Sequence, residues 1–217
     1  MFSPPPIDVL LAIGVVIFVA IGIHEYFHAK LADMAGDPTP GMYGRVTLNL
    51  TKHFEPIGTL FIVITTLAGF GIGWGKPVPM DPRKMNNPKW DHFVAVLGGP
   101  VSNIVQAGIF AIVFRLTILV APEALAVDFL ANLLLFGVFI NLALAAFNLM
   151  PIGPLDGMWL IGTFMRPETR MRWTRWNLQY GSMVFIGLIL ISQITGGGVL
   201  TILRAIVQPV ARFFLGT

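Results

Sequence analysis

Residues 9–28, VLLAIGVVIFVAIGIHEYFH, join an uncharged apolar run directly to a cluster of ionisable side chains. A helix that crosses the hydrocarbon core of a bilayer needs about 20 mostly apolar residues. The run from Val9 to Ile23 carries no charge, and no Lys or Arg precedes it. No small-residue cleavage site follows it either, so we expect a retained membrane helix and not a secretory signal peptide.

The rest of the chain has the same character. Of its 217 residues, 55% are hydrophobic and only 12% are charged, whereas soluble domains average roughly 25% charged residues. Further runs poor in charge occupy residues 93–120, 129–150 and 183–191. The sequence therefore predicts an all-α membrane protein, a polytopic transmembrane helix bundle of about four to six membrane segments.

No segment is both polar and long enough to form a separate soluble domain. We expect one integral-membrane domain over residues 1–217, with a core at about 7–165 and C-terminal helices at about 178–215. The net charge of +3 comes from basic residues placed mostly in connecting loops, which suits a membrane surface better than nucleic acid. The absence of cysteine excludes disulfides and thiolate chemistry.

The motif His24-Glu25-Tyr26-Phe27-His28 is the strongest chemical signal. Positions four apart lie on one face of a helix, so His24 and His28 can hold one zinc ion while Glu25 reaches a water on the metal. Ionisable residues inside a membrane helix are costly and usually functional. The motif therefore predicts a zinc site in which Glu25 is the general base that activates water for attack on a peptide carbonyl.

A catalytic zinc site normally has a third protein ligand and leaves the fourth position to water. Asp156 is the candidate, because it follows an apolar run at a break rich in proline and glycine, Asn148-Leu149-Met150-Pro151-Ile152-Gly153-Pro154-Leu155-Asp156-Gly157. Irregular backbone at membrane depth is tolerated where it lines a cavity. The alternative is that Asp156 serves only as the N-cap of the next helix.

Between these motifs the sequence predicts smaller elements. In residues 42–50, Val46, Leu48 and Leu50 alternate with polar residues, which predicts a short strand near the active site. We expect a loop or hairpin at residues 73–88 and a basic loop with interfacial tryptophans at residues 166–176. A polar stripe in the last segment predicts a helix lying in the membrane interface: Thr201, Arg204, Gln208 and Arg212.

Together, HEYFH in the first helix and NLMPIGPLDG after a later helix resemble the site-2 protease family of intramembrane metalloproteases. The resemblance covers roughly residues 9–160 and implies that His24, His28 and Asp156 bind Zn²⁺ while Glu25 is the catalytic base. It implies a role for Asn148 in binding substrate or the oxyanion, although a buried amide that satisfies carbonyls freed by Pro151 is an equal alternative.

The stretch Gly98-Gly99-Pro100-Val101-Ser102-Asn103 is also similar to one in that family. Its glycines permit close helix packing. Asn103 is a candidate substrate-binding residue at the site, with a hydrogen bond that serves packing as the alternative.

The resemblance implies a minimal member of the family, without a PDZ or CBS domain, that hydrolyses peptide bonds in or near transmembrane segments. The expected partners are membrane-anchored protein substrates and the lipid bilayer, with no nucleic acid. The alternative function is a membrane metal transporter or metal-binding scaffold that uses the same ligands. A transporter needs no general base, so Glu25 discriminates between the two.

Loop charges predict the orientation of this multi-pass protein. The loop at residues 121–128 is acidic, and the flanking loops at 73–92 and 166–176 are basic. By the positive-inside rule the basic loops and the active site face the cytoplasm. Residues 56–73 should then dip into the membrane and return, or lie flat. We expect His53 and His92 to be interfacial histidines.

Overall fold

The computed structural model describes residues 5–58 and 74–216, and in these ranges the protein is a helical bundle with no strand. The helices are α1 (Ile7–Met34), α2 (Thr39–Met42), α3 (Trp90–Val120), α4 (Asp128–Asn148), α5 (Gly157–Gly162), α6 (Pro167–Trp176), α7 (Ser182–Thr195) and α8 (Val199–Leu215). Short 3₁₀ turns occupy Leu50–His53, Pro82–Lys84 and Pro122–Ala126, and a π-helical turn, Asn177–Gly181, joins α6 to α7.

Four of the described helical stretches are long and apolar enough to cross a membrane. They are α1, α3, α4 and the continuous stretch Pro167–Thr195 formed by α6 and α7. Large apolar side chains cover their outer surfaces, for example Ile109, Ile112 and Leu116 on α3. A surface of this kind suits contact with lipid, so the prediction of a polytopic helical membrane protein is confirmed.

The centre of the bundle is formed by α1, α3 and α4, which pack against one another. At its C-terminal end α1 stops where Gly36 adopts a φ of +98° and the amide of Asp37 bonds back to the carbonyl of Ala32, at 3.0 Å. A glycine in this conformation is a common helix terminator. Asp37 is fully buried and accepts the amide of Asp81, at 2.6 Å, which fixes the loop before α3 against the end of α1.

The last helix, α8, packs on α3 and α4. The buried cluster at this contact contains Ala107, Ala111, Val138, Leu142, Val207, Ala211 and Leu215. The residues of its predicted polar stripe are all exposed, beside the buried face, so the amphipathic pattern is confirmed. That the helix lies in the membrane interface stays a prediction.

The predicted strand at residues 42–50 is wrong, because this segment forms bends between α2 and a 3₁₀ turn. Side chains here bond to nearby backbone: Thr47 Oγ1 accepts the amide of Asn49, and Asn49 Oδ1 accepts the amide of Thr51. Local bonds of this type compete with strand pairing. Gly44, with a φ of +64°, also breaks the extended path.

Two further predictions concern connecting segments. Residues 166–176 were expected to be a loop, but Pro167 begins α6 and the helix continues into α7; proline at the first helical position favours this start. Described residues 74–88 form a loop with one 3₁₀ turn, as expected. The prediction that residues 56–73 dip into the membrane or lie flat concerns mainly residues 59–73, which lie outside the described ranges.

Candidate metal centre

On α1, His24 and His28 lie one turn apart and point to the same place. Their Nε2 atoms are 3.0 Å apart, and the two side chains are buried. The spacing of four residues in a continuous helix produces this convergence. Glu25 lies between them in the sequence and is partly exposed.

Both imidazoles are held through their Nδ1 atoms by groups on α3. His24 Nδ1 lies 2.7 Å from Asn103 Oδ1, and His28 Nδ1 lies 2.9 Å from the carbonyl oxygen of Ala95. Since both partners are hydrogen-bond acceptors, both Nδ1 atoms carry the proton and donate it. Each Nε2 is therefore left with its lone pair free, which is the form of histidine that binds a metal.

Asp156 reaches the same point from the other end of the chain. Its Oδ2 atom lies 3.2 Å from His24 Nε2 and 3.4 Å from His28 Nε2. Asp156 occupies the N-cap position of α5, yet its side chain makes no capping hydrogen bond. Gly157 allows this turn, since a Cβ there would clash with the carbonyl oxygens of Leu149 and Met150. The side chain is directed to the histidines and not to the helix end.

The three side chains fit a metal ion. With both Nδ1 atoms protonated, three acceptor atoms face one another, and Asp156 Oδ2 is buried without a hydrogen-bond partner. Such an arrangement is repulsive unless a metal ion or a proton lies between the acceptors. A tetrahedral zinc ion with bonds of about 2.0–2.1 Å separates its ligand atoms by about 3.3 Å, close to the distances observed. Within the described residues these three form the one group of at least three possible ligands with atoms inside 4.8 Å.

Close packing of α3 on α1 depends on two glycines. A Cβ at Gly99 would clash with the imidazoles of His28 and His24, and one at Gly98 would clash with Leu31. Any side chain at position 99 would therefore displace the two histidines. This confirms that the glycines permit close packing, and it gives Gly99 a second role as the wall of the site.

Asn103 is fully buried, and all of its observed bonds are internal. Besides contacting His24, its amide nitrogen donates to Asn141 Oδ1 at 2.9 Å and to the carbonyl of Ala20 at 3.3 Å. Asn141, also fully buried, donates in turn to the carbonyl of Gly137 at 2.8 Å. The two asparagines thus form a series of hydrogen bonds that runs from α4 to His24 and fixes the imidazole. This arrangement corresponds to the alternative in which the hydrogen bond of Asn103 serves packing.

Asn148 lies at the end of α4 and is partly buried. Its amide nitrogen donates to the carbonyl of Leu144 at 3.0 Å, within its own helix. Its role in binding substrate stays a prediction. Sequence reasoning missed Asn141, whose signal was a polar residue inside the apolar run of α4, and it missed the carbonyl of Ala95, which has no sequence signal.

The other two histidines are also buried, His53 at 1% exposure and His92 at 4%. That these two histidines lie at the membrane interface stays a prediction. His53 Nε2 contacts the carbonyl of Thr47 at 2.9 Å, and the ring of His92 packs edge-on to Trp159. Neither belongs to the metal-binding group.

Glu25 borders the loop that precedes α3. A Cβ at Gly75 would lie 3.3 Å from Glu25 Oε1, so the backbone of the loop runs directly beside the carboxylate. The amide of Lys76 bonds to the carbonyl of His53 at 2.9 Å and keeps the loop in place.

Three curated proteins resemble the chain over most of its length. "Putative zinc metalloprotease YwhC" of Bacillus subtilis (strain 168) is 33% identical over 185 residues, which cover 84% of this chain and 82% of the relative. "Putative zinc metalloprotease Rip2" of Mycolicibacterium smegmatis is 29% identical, covering 82% and 68%. Its namesake in Mycobacterium tuberculosis (strain H37Rv) is 29% identical, covering 70% and 56%. No family model and no solved structure matches the chain.

These relatives, together with helices of membrane-spanning length, support assignment of the chain as a zinc metalloprotease. Within that class, the chain belongs to the site-2 protease family.

Proposed function

We propose that this protein is an intramembrane zinc endopeptidase that hydrolyses peptide bonds in or near transmembrane segments of membrane-anchored proteins. The observation that carries the proposal is the convergence of His24, His28 and Asp156 beside Glu25. These groups lie among helices long and apolar enough to cross a membrane. A lone HEYFH motif without the third ligand would not support it.

Each residue has a stated task in this proposal. His24, His28 and Asp156 hold Zn²⁺, which supplies Lewis-acid chemistry that makes water a nucleophile near neutral pH. Glu25 takes the proton of the attacking water and later gives it to the leaving amine. Asn103 and Ala95 keep the two imidazoles in the tautomer that binds metal.

The substrate must unwind before it can react. A helical segment hides its carbonyl groups in its own hydrogen bonds. We expect helix-breaking residues near the scissile bond to speed cleavage. Substituting such a residue with alanine or leucine in a transmembrane substrate should slow its cleavage, measured by the appearance of product on gels. An unchanged rate in the stabilised substrate would contradict this requirement.

The site is proposed to face the cytoplasm. The support is the charge asymmetry of the loops: basic residues Lys76, Arg83, Lys84 and Lys89 before α3 against an acidic loop before α4. A reporter fused within residues 74–88 should read as cytoplasmic. An external reading would reverse the proposed orientation.

The direct test compares the purified wild-type protein with Glu25→Gln on membrane-anchored substrates. Glu25→Gln should keep zinc, because its neighbours supply the ligands, and should lose cleavage because the amide accepts no proton. Cleavage is measured by mass spectrometry of the products, and zinc by elemental analysis. Zinc-dependent cleavage that persists in Glu25→Gln would contradict the proposal. Metal transport by the wild-type protein, without any cleavage, would favour a transporter.

A further inference from the structure

One charged side chain near Glu25 has no role in the mechanism described so far. Arg45 lies in the bends after α2 and is only 3% exposed. One of its nitrogens, Nη2, donates to the carbonyl of Lys76. Its Nε and Nη1 atoms are buried without a hydrogen-bond partner.

A buried guanidinium with two free donor nitrogens is costly. Arginine cannot escape the cost by losing its proton, and a buried donor without a partner destabilises the fold. No carboxylate among the described residues forms an ion pair with Arg45. Buried donors of this kind need an acceptor supplied by a ligand, a water or an ion.

The position of Arg45 identifies where that acceptor would lie. Arg45 holds Lys76, and the preceding residue, Gly75, has its backbone against the Glu25 carboxylate. The Nδ1 atom of the neighbouring His53 is also buried without a hydrogen-bond partner, and burial lowers the pKa of its imidazole.

We propose that Arg45 is a catalytic residue that binds the carbonyl oxygen of the scissile peptide bond through Nε and Nη1. The inference rests on the proposed peptidase function. Attack by water forms a new C–O bond, opens the carbonyl double bond and leaves the electron pair on that oxygen, while Glu25 takes the proton of the water. Negative charge moves from Glu25 to the substrate oxygen, where Nε and Nη1 of Arg45 donate hydrogen bonds to it. Preorganised donors at this point lower the barrier.

The test uses Arg45→Gln and Arg45→Lys in the full-length protein, with Arg83→Gln as the matched control. Arg83 is highly exposed and pairs with Asp81 at 2.9 Å in the same loop. Arg45→Gln should lower kcat by about 10²–10³-fold, with KM changed by no more than about threefold. Arg45→Lys should stay about tenfold or more below wild type, because an ammonium group lacks the planar fork. Arg83→Gln should match wild type.

A second measurement separates catalysis from a structural role in holding Lys76. A phosphinic peptide that mimics the tetrahedral anion should bind Arg45→Lys and Arg45→Gln about 10²-fold more weakly than wild type. The matching uncleavable substrate peptide should bind all three alike, and zinc content should not change. Equal loss for both peptides, loss of zinc, or an unchanged kcat in the Arg45 variants would overturn the inference. Cleavage by Glu25→Gln would instead overturn the peptidase function itself.

Discussion

The two halves of α3 are built from similar small residues but do different things. In its first half, residues 92–106, Ala95, Gly99 and Asn103 contact the imidazoles of α1 through a carbonyl, a bare Cα and an amide. In its second half, residues 107–120, Ala107 and Ala111 pack against α4 and α8 with no polar contact. We call these the site half and the packing half.

The comparison shows that close approach of helices is necessary for the metal centre but does not create it. Small residues bring helices together in both halves, as expected for membrane bundles. Only the site half adds hydrogen-bond acceptors that leave the Nε2 atoms free to converge with Asp156. The predictions that follow test this difference.

The largest effect is expected at Gly99. Gly99→Ala would place a methyl group against both imidazoles, so we expect loss of zinc binding and of all cleavage. The matched control is Gly108→Ala in the packing half, where the new Cβ would lie 3.5 Å from Phe214, an ordinary contact. Zinc per folded chain, measured by elemental analysis, checks both. A folded Gly99→Ala protein with the zinc content of wild type would contradict the role given to the site half.

The asparagine chain should give a smaller, graded effect. Asn103→Leu removes the acceptor for His24 Nδ1, and a lost partner of this kind typically weakens metal binding about 10–100-fold. Asn141→Leu removes only one bond that orients Asn103, so we expect a loss of roughly threefold to tenfold. Competition with a chelator measures both affinities. If Asn141→Leu weakened zinc binding as much as Asn103→Leu or more, Asn141 would not act on His24 through Asn103.

Overpacking the other half should change stability and not chemistry. Ala107 is fully buried, so Ala107→Leu should destabilise the fold by about 1–3 kcal/mol. Zinc affinity of the folded protein should stay at the wild-type value. Thermal unfolding followed by circular dichroism gives the first quantity, and chelator competition gives the second. Reduced zinc affinity in the folded fraction would show that the two halves are coupled.

The smallest effect is expected at His92, a buried histidine of the site half outside the metal group. His92→Phe keeps the edge-on contact with Trp159, now 5.7 Å between ring centroids, and removes an unpartnered Nδ1. Zinc content should not change, and stability should stay within about 1 kcal/mol. Loss of zinc in this variant would mean that histidines other than His24 and His28 are ligands.

Apolar runs of membrane-spanning length predicted the bundle, and the need of zinc for a third ligand, together with the family resemblance, pointed to Asp156. It failed at residues 42–50, where Thr47 and Asn49 side chains bond to the backbone and no partner strand is present among the described residues. Arg45 and Asn141 were missed because their significance comes from contacts with Lys76 and Asn103, distant in sequence. The alternation of apolar residues and isolated polar residues carries no information about such contacts.

The central claim is that His24, His28 and Asp156 hold one zinc ion together. Elemental analysis of purified wild type, Asp156→Asn and His92→Phe tests it most directly. We predict one zinc per chain in wild type and His92→Phe, and a loss of zinc in an Asp156→Asn protein that still folds. An Asp156→Asn protein that binds one zinc ion with wild-type affinity would contradict the claim.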